Sequence, residues 1–283
     1  GFVRLRASKP SNAPQPLLAF ANPIPSSNVE QTAIQVSKQR SLSGSASVVS
    51  AKTGTIDPAL LGIRGADPIC VREAEMVLGF APLLDTDAEV RAVAAALSAD
   101  PKTAIVDGEA FTDNAVRERK DLNQFRVLYF ATHGVLPDAF QCWPDPFLST
   151  STGGGSDGAL EATEIADLSL DADLVVLSAC DTAGSGTAEN ASGLEGAGEA
   201  LGGLAQSFTF AGSRGLLVSH WAVDSKRTGE LMAALFQSEA GAGSTEAALT
   251  LAQRSLMLTP EASHPYFWAA FTLVGEGVRR TAG

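Results

Sequence analysis

No apolar run in this 283-residue chain approaches the ~18–20 residues that a bilayer-spanning helix needs. The longest such stretch near the end, Phe267 to Val274, has the length of a strand, and the reading is a chain with no membrane partner. Charge is sparse at 18% and weighted to acid, 20 Lys+Arg against 32 Asp+Glu for a net −12, which excludes direct nucleic-acid binding through clustered cations. Cysteine is scarce too. Cys70, Cys142 and Cys180 are an odd, widely spaced set, neither a disulfide framework nor a paired CxxC metal pattern. The expectation is three reduced thiols and a cytoplasmic location. Phosphate cradles are missing as well, because Gly184-Ser-Gly-Thr187 and Gly153–Gly155 lack the Lys-Ser/Thr ending of a Walker loop and read as mobile loops; the expectation is no cofactor and no metal. There is no initiator Met before Gly1-Phe-Val-Arg-Leu-Arg6 and no apolar leader with a small-residue cleavage site, which reads as a cut end or tag scar on a piece of a longer protein.

What is present points to a packed globule. Apolar residues make up 45%, and 27 Gly with 14 Pro is ordinary loop content. A chain of this length forms one large α/β unit or two small ones and buries about 70–75% of its unfolded surface. The charge is unevenly spread. Residues 1–52 carry six basic groups and one acid, Glu30, for +5, and the remaining 14 basic and 31 acidic residues make −17. The basic lead-in is rich in Ser, Pro and Gln and reads as a solvated segment.

Periodicity organises the rest. Leu17-Leu-Ala-Phe20, closed by Asn22-Pro23, predicts a first strand at about 17–22, and residues from about 23 to 70 lack a sustained period and read as an insertion or mobile arm. Ala88, Val90, Val93, Ala94 and Leu97 predict a helix after Asp85/Asp87. Strands follow at Thr103–Val106, Arg126–Ala131, Asp173–Ser178, Arg214–Ser219 and Phe267–Val274, separated by helical patterns at 112–121, 161–168, 194–208 and around Leu231–Phe236, and by one that Ser244 caps; residues 135–158 read as a loop. Near-continuous apolar strands alternating with amphipathic helices predict a mostly parallel sheet of about six strands with helices on both faces, a three-layer α/β sandwich.

Ligands of such sheets gather beyond the carboxyl ends of the strands. One predicted strand runs into Thr132-His133-Gly134 and another into Ala179-Cys180-Asp181-Thr182, which offers a base and a thiol at one edge. A thiol beside an imidazole is a competent nucleophile, so acyl transfer through a thioester is the chemistry indicated. The backbone N–H groups of Gly134 and Cys180 are the candidate oxyanion donors. Taken singly, each residue also has an ordinary structural reading. Asp157, Glu161 or a backbone carbonyl is left to orient His133. A Zn2+ site from Cys180, His133 and His220 is the weaker reading, because the tight local spacing of metal ligands is absent, and His264 reads as structural.

Phe130-Ala-Thr-His-Gly134, Asp157-Gly158, Glu164-Ile165, Leu174-Val-Val-Leu-Ser-Ala-Cys-Asp-Thr182, Gly193-Leu-Glu-Gly196, Ala211-Gly212, Val218-Ser-His-Trp-Ala-Val-Asp224, Ala252-Gln253 and His264-Pro-Tyr-Phe-Trp-Ala269 resemble, in that order, the motifs of CHAT domains. These are caspase-like cysteine peptidase domains related to separase and frequently found behind tetratricopeptide repeats in bacterial proteins. The resemblance covers about residues 83–277, with Leu17–Pro23 matching the family's first strand. It implies a caspase-like fold with residues 83–283 as the catalytic core, and residues 1–82 as an N-terminal segment whose first strand belongs to the same domain. It further implies a His133–Cys180 dyad, an endopeptidase acting on a protein or peptide substrate, and control by a regulatory partner or upstream repeat region. The alternatives are a silent interaction module and a small-amide hydrolase or acyltransferase with the same dyad. Ser178, two residues before the nucleophile, resembles the residue that lines the substrate pocket; Asp181, Trp221 and Asp224 are further substrate-binding candidates. Where the family has a second acid after Asp224 this chain has Ser225, which weakens a pocket for Arg or Lys, and Asp224 also suits a helix N-cap. The Gly- and Ser-rich segment Ala183–Ser192 reads as a gate.

Overall fold

The computed structural model describes residues 9–24, 68–83, 85–135, 140–143, 145–178, 194–221 and 224–275. Its elements run β1 (Gln15–Ala21), α1 (Pro68–Leu78), α2 (Asp85–Ala96), α3 (Pro101–Ala104), β2 (Ile105–Asp107), α4 (Asp113–Arg117), β3 (Phe125–Ala131), β4 (Gly134–Val135), β5 (Phe147–Ser149), β6 (Ala159–Glu161), α5 (Ala162–Ala166) and β7 (Leu174–Leu177). They continue with α6 (Leu194–Ala211), β8 (Gly215–Ser219), α7 (Ser225–Ala242), α8 (Thr245–Met257), α9 (Pro265–Trp268) and β9 (Phe271–Gly275). Most of residues 23–70, where the sequence suggests an arm, lies outside the described residues.

Six strands form one sheet in the order β2-β1-β3-β7-β8-β9, parallel throughout except for the last pair. The period of two sends alternate side chains to opposite faces. Leu17, Ala19, Val127, Tyr129, Val176 and Leu217 pack against α2, α7 and α8 through Val90, Val93, Leu231, Leu235 and Leu249. Leu18, Phe20, Leu128, Phe130, Leu177 and Val218 face Val116, Ile165, Leu204 and Phe208 on the other side. Phe20 stacks on Phe130 with ring centroids 5.1 Å apart, and Phe208 closes on Phe130 at 5.3 Å. Covering both faces is what makes these strands apolar at nearly every position. The three-layer α/β architecture is therefore as the sequence predicts. Among the described residues, no helix is long and apolar enough to cross a membrane.

Three local differences have physical causes. The stretch read as a loop, 135–158, contains β5 and contributes with β4 and β6 to a small antiparallel sheet, whose strands of two or three residues are too short to reveal a period. Helix α1 goes unread because it follows a long aperiodic segment; Pro68 at its first position is the signal that marks it. The apolar run Phe267–Val274 is divided, since His264 caps α9 by accepting from the Tyr266 N–H at 3.2 Å and Pro265 favours the first helical turn, so only Phe271–Gly275 is strand.

Gly212 makes the turn from α6 into β8 with φ +115°, and a Cβ there would press on the Leu170 carbonyl. Leu170 donates its N–H to the Ala211 carbonyl at 2.8 Å, so neither backbone can retreat cheaply. Gly212→Ala should therefore cost about 2–4 kcal/mol in a denaturant titration, and a loss under about 0.5 kcal/mol would contradict this packing.

Candidate active site

The site begins with one strand pair. β3 and β7 are parallel neighbours in the register Tyr129↔Val176 and Phe130↔Leu177. The ladder continues one step further, with the Ser178 N–H donating to the Phe130 carbonyl at 2.9 Å. In the sequence, His133 comes two residues after β3 ends, and Cys180 two residues after Ser178. Cys180, Asp181 and the Ala183–Ser192 segment lie outside the described residues.

His133 is 6% exposed, and its Nε2 lies 2.9 Å from the carbonyl oxygen of Ala81. A carbonyl only accepts, so this bond puts the proton of the neutral ring on Nε2 and makes Nδ1 the basic position. The Phe80 ring sits 5.0 Å from the imidazole. Of the orienting groups left open by the sequence, the backbone carbonyl is the one found here. Asp157 instead accepts from the Ala159 N–H, and Glu161 forms a capping box with Glu164 on α5.

Phe80 and Ala81 follow directly from α1, which is held down at several points. Glu73 accepts from the Gln141 and Cys142 N–H groups at 2.8 and 2.9 Å. Val77 and Leu78 pack with Val135, Phe140, Trp143 and Phe147. The third tie corrects the reading of the cysteines: Cys70 and Cys142 are joined in a disulfide across a sequence separation of 72. Their wide spacing and the odd total concealed the pairing, because only the fold brings α1 onto residues 140–143. The argument from reduced thiols to a cytoplasmic location loses its basis.

Gly134 opens β4 opposite Leu148, and the Ser149 N–H donates to the His133 carbonyl at 2.8 Å. The antiparallel alternation then turns the Gly134 N–H away from β5, an orientation compatible with oxyanion donation. The Thr132 hydroxyl ties the same turn to the Ser149 carbonyl.

Sequence reasoning missed Glu89. It sits on α2 at 3% exposure, accepts from the Tyr129 hydroxyl, and has the half-buried Ser178 side chain as a second hydrogen-bond partner. Burial pushes its carboxyl up to about 7; the Tyr129 and Ser178 hydrogen bonds oppose the rise and the nearby Asp85 charge adds to it. The Tyr129 hydroxyl is likewise pushed well above its ordinary range by burial and by Glu89. The only sequence signal was negative, an acid on the apolar side of a helix.

The remaining candidates lie at the end of β8. Trp221 packs against the core and donates Nε1–H to the Tyr266 carbonyl at 3.0 Å. Asp224 caps α7 by accepting from the Arg227 N–H at 2.9 Å. His220 is exposed with Nε2 at 3.0 Å from the Thr272 hydroxyl. Among the described residues, no three His, Cys, Asp or Glu side chains form a group that holds a metal.

Two outcomes follow. Replacing both Cys70 and Cys142 by Ser removes a closed loop and should lower stability by about 2–4 kcal/mol, and reductant should lower the melting temperature of the parent protein but not of the double variant. Glu89, with its folded pKa raised from 4.5 to about 7, contributes stability that is complete below about 4.5 and lost as pH rises through about 7. Glu89→Gln removes that dependence, so the parent should lose on the order of 3 kcal/mol relative to the variant between pH 4 and pH 8 in urea titrations.

The model of the CHAT domain matches residues 1–276, nearly the whole chain. Comparison with the curated proteins gives no match. CHAT domains are related to caspase-like cysteine peptidases, in keeping with the mostly parallel sheet and with a histidine at the carboxyl end of β3. The chain belongs to the CHAT domain family.

Proposed function

We propose that this protein is a caspase-like cysteine endopeptidase. The observation that carries the reading is the His133 imidazole, oriented through Nε2 by the Ala81 carbonyl at the end of the strand paired with the one leading to Cys180. Cys180 is two residues beyond the Ser178 anchor, a chain distance of at most about 7 Å, which supports a dyad.

In this mechanism His133 Nδ1 takes the thiol proton as Cys180 Sγ attacks the peptide carbonyl carbon. The oxyanion is met by the N–H groups of Gly134 and Cys180. As the tetrahedral adduct collapses, the imidazolium delivers the proton to the leaving amine, and a thioester remains. Water, deprotonated by His133, attacks the thioester; the carboxylic acid leaves and the thiol returns. Ser178, Asp181, Trp221 and Asp224 contribute to substrate binding, with Asp224 also serving its helix cap. A regulatory partner or repeat region, of the kind to which CHAT domains are often fused, controls the activity.

Cleavage products from a peptide and proteome library test the reading. Cys180→Ala and His133→Ala should each lower kcat/KM by at least about 10³-fold while remaining folded. Products identical with and without Cys180, in the presence of candidate partners, would leave an interaction module in place of an enzyme. Consumption of small amides with no peptide cleaved would move the assignment to an amidase.

A further inference from the structure

Ser178 directly follows β7 at the sheet edge where ligands collect, and its side chain meets the carboxyl group of Glu89. Among the described residues, Glu89 hydrogen-bonds to Tyr129 and Ser178. Among the described residues no salt bridge reaches it. Asp85 is on its own helix, while Arg91 of α2 is turned to Asp87 and Asp107. On α3, Lys102 is exposed. From β1 the packing residues are Leu17, Ala19 and Ala21. α7 brings Gly229, whose missing Cβ would lie 3.9 Å from Glu89; its Arg227 pairs with Glu230, and Lys226 is exposed. His133 is turned to Ala81 and Phe80.

A brace between α2, β3 and β7 does not require an acid. The amide of Gln would accept from Tyr129 and donate to Ser178 without the penalty of burying a charge. What a carboxyl adds is latent negative charge, in a place where an incoming cation would supply the missing partner.

We infer that Glu89 is a specificity-determining residue, and that its carboxylate, with the Ser178 hydroxyl, receives the cationic head of a Lys or Arg side chain preceding the scissile bond. This deepens the peptidase reading and rests on its assignment of Ser178 to the substrate pocket. The hydroxyl of Ser178 donates to the Glu89 carboxylate and turns its lone pairs to the ammonium or guanidinium N–H. Trp221, at the end of the neighbouring strand β8, offers an aromatic wall for the aliphatic stem and the cation. An acidic side chain at the same position meets like charge. The acid lacking at Ser225 is thus supplied from α2, a segment 136 residues earlier in the chain. Because a bound cation favours the ionised carboxyl, binding releases a proton from Glu89, whose ordinary titration burial has moved to about 7.

Two measurements test this separately from catalysis. Calorimetric titration of the Cys180→Ala protein at pH 8 compares n-butylguanidinium with n-pentanol. The cation should bind at least about tenfold more tightly, and Glu89→Gln in the same background should abolish the difference. Cleavage by the intact protein is then compared on peptides differing only in Lys, Arg, norleucine or Glu before the scissile bond. The Lys-to-norleucine ratio of kcat/KM should be at least about tenfold at pH 8, fall toward pH 6, drop to about one in Glu89→Gln, and recover in part in Glu89→Asp. Equal binding of cation and alcohol, or a ratio insensitive to Glu89 and to pH, overturns the inference. Selective, Glu89-dependent cation binding without Cys180-dependent cleavage would sink the peptidase reading and retain the cation site.

Discussion

The parallel pairing of β3 with β7 is the constraint on which the rest depends. It occupies the middle of a six-stranded sheet whose two faces are both covered by helices, so its backbone groups must be satisfied by one another. A slip of one residue would exchange the sets that face α2, α7 and α8 with those that face α4, α5 and α6, moving Tyr129 and Phe130 into cavities shaped for the other. The register is therefore held by side chains far from the site, while its consequence appears at the strand ends.

A second layer of control comes from α1. The imidazole's tautomer depends on a carbonyl three residues beyond that helix, and the helix is docked by a buried carboxylate, a disulfide and an apolar cluster centred on Trp143 and Phe147. A side-chain acid would have served as orienter but would carry its own charge into a 6%-exposed surround. The carbonyl supplies a fixed dipole without that desolvation cost.

Glu89 represents the opposite choice, an acid kept where water is excluded. Its position beneath Ser178, between Tyr129 and the bare backbone of Gly229, joins the electrostatics of the core to the edge of the sheet. Carboxyls perturbed in this way cluster at functional sites, and they also occur in structural networks.

Much of this was readable in one dimension. Runs such as Leu174–Leu177 and Gly215–Ser219 announce buried strands because a strand covered on both faces must be apolar throughout, and Ser244 and Asp224 announce helix starts because an orphan N–H needs a local acceptor. His133 stood out for the same local reason, as a polar residue directly after such a run. What the chain order did not carry were the contacts between distant segments: Cys70 with Cys142, Ala81 with His133, and Glu89 with Tyr129 and Ser178. Sequence by itself determined the six strands of the main sheet and most of the helices that cover it, because those follow from periodicity and capping within a few residues. Only the tertiary structure decided which carbonyl orients the histidine, which thiols are joined and which acid meets Tyr129 and Ser178, because each requires elements tens of residues apart to pack together.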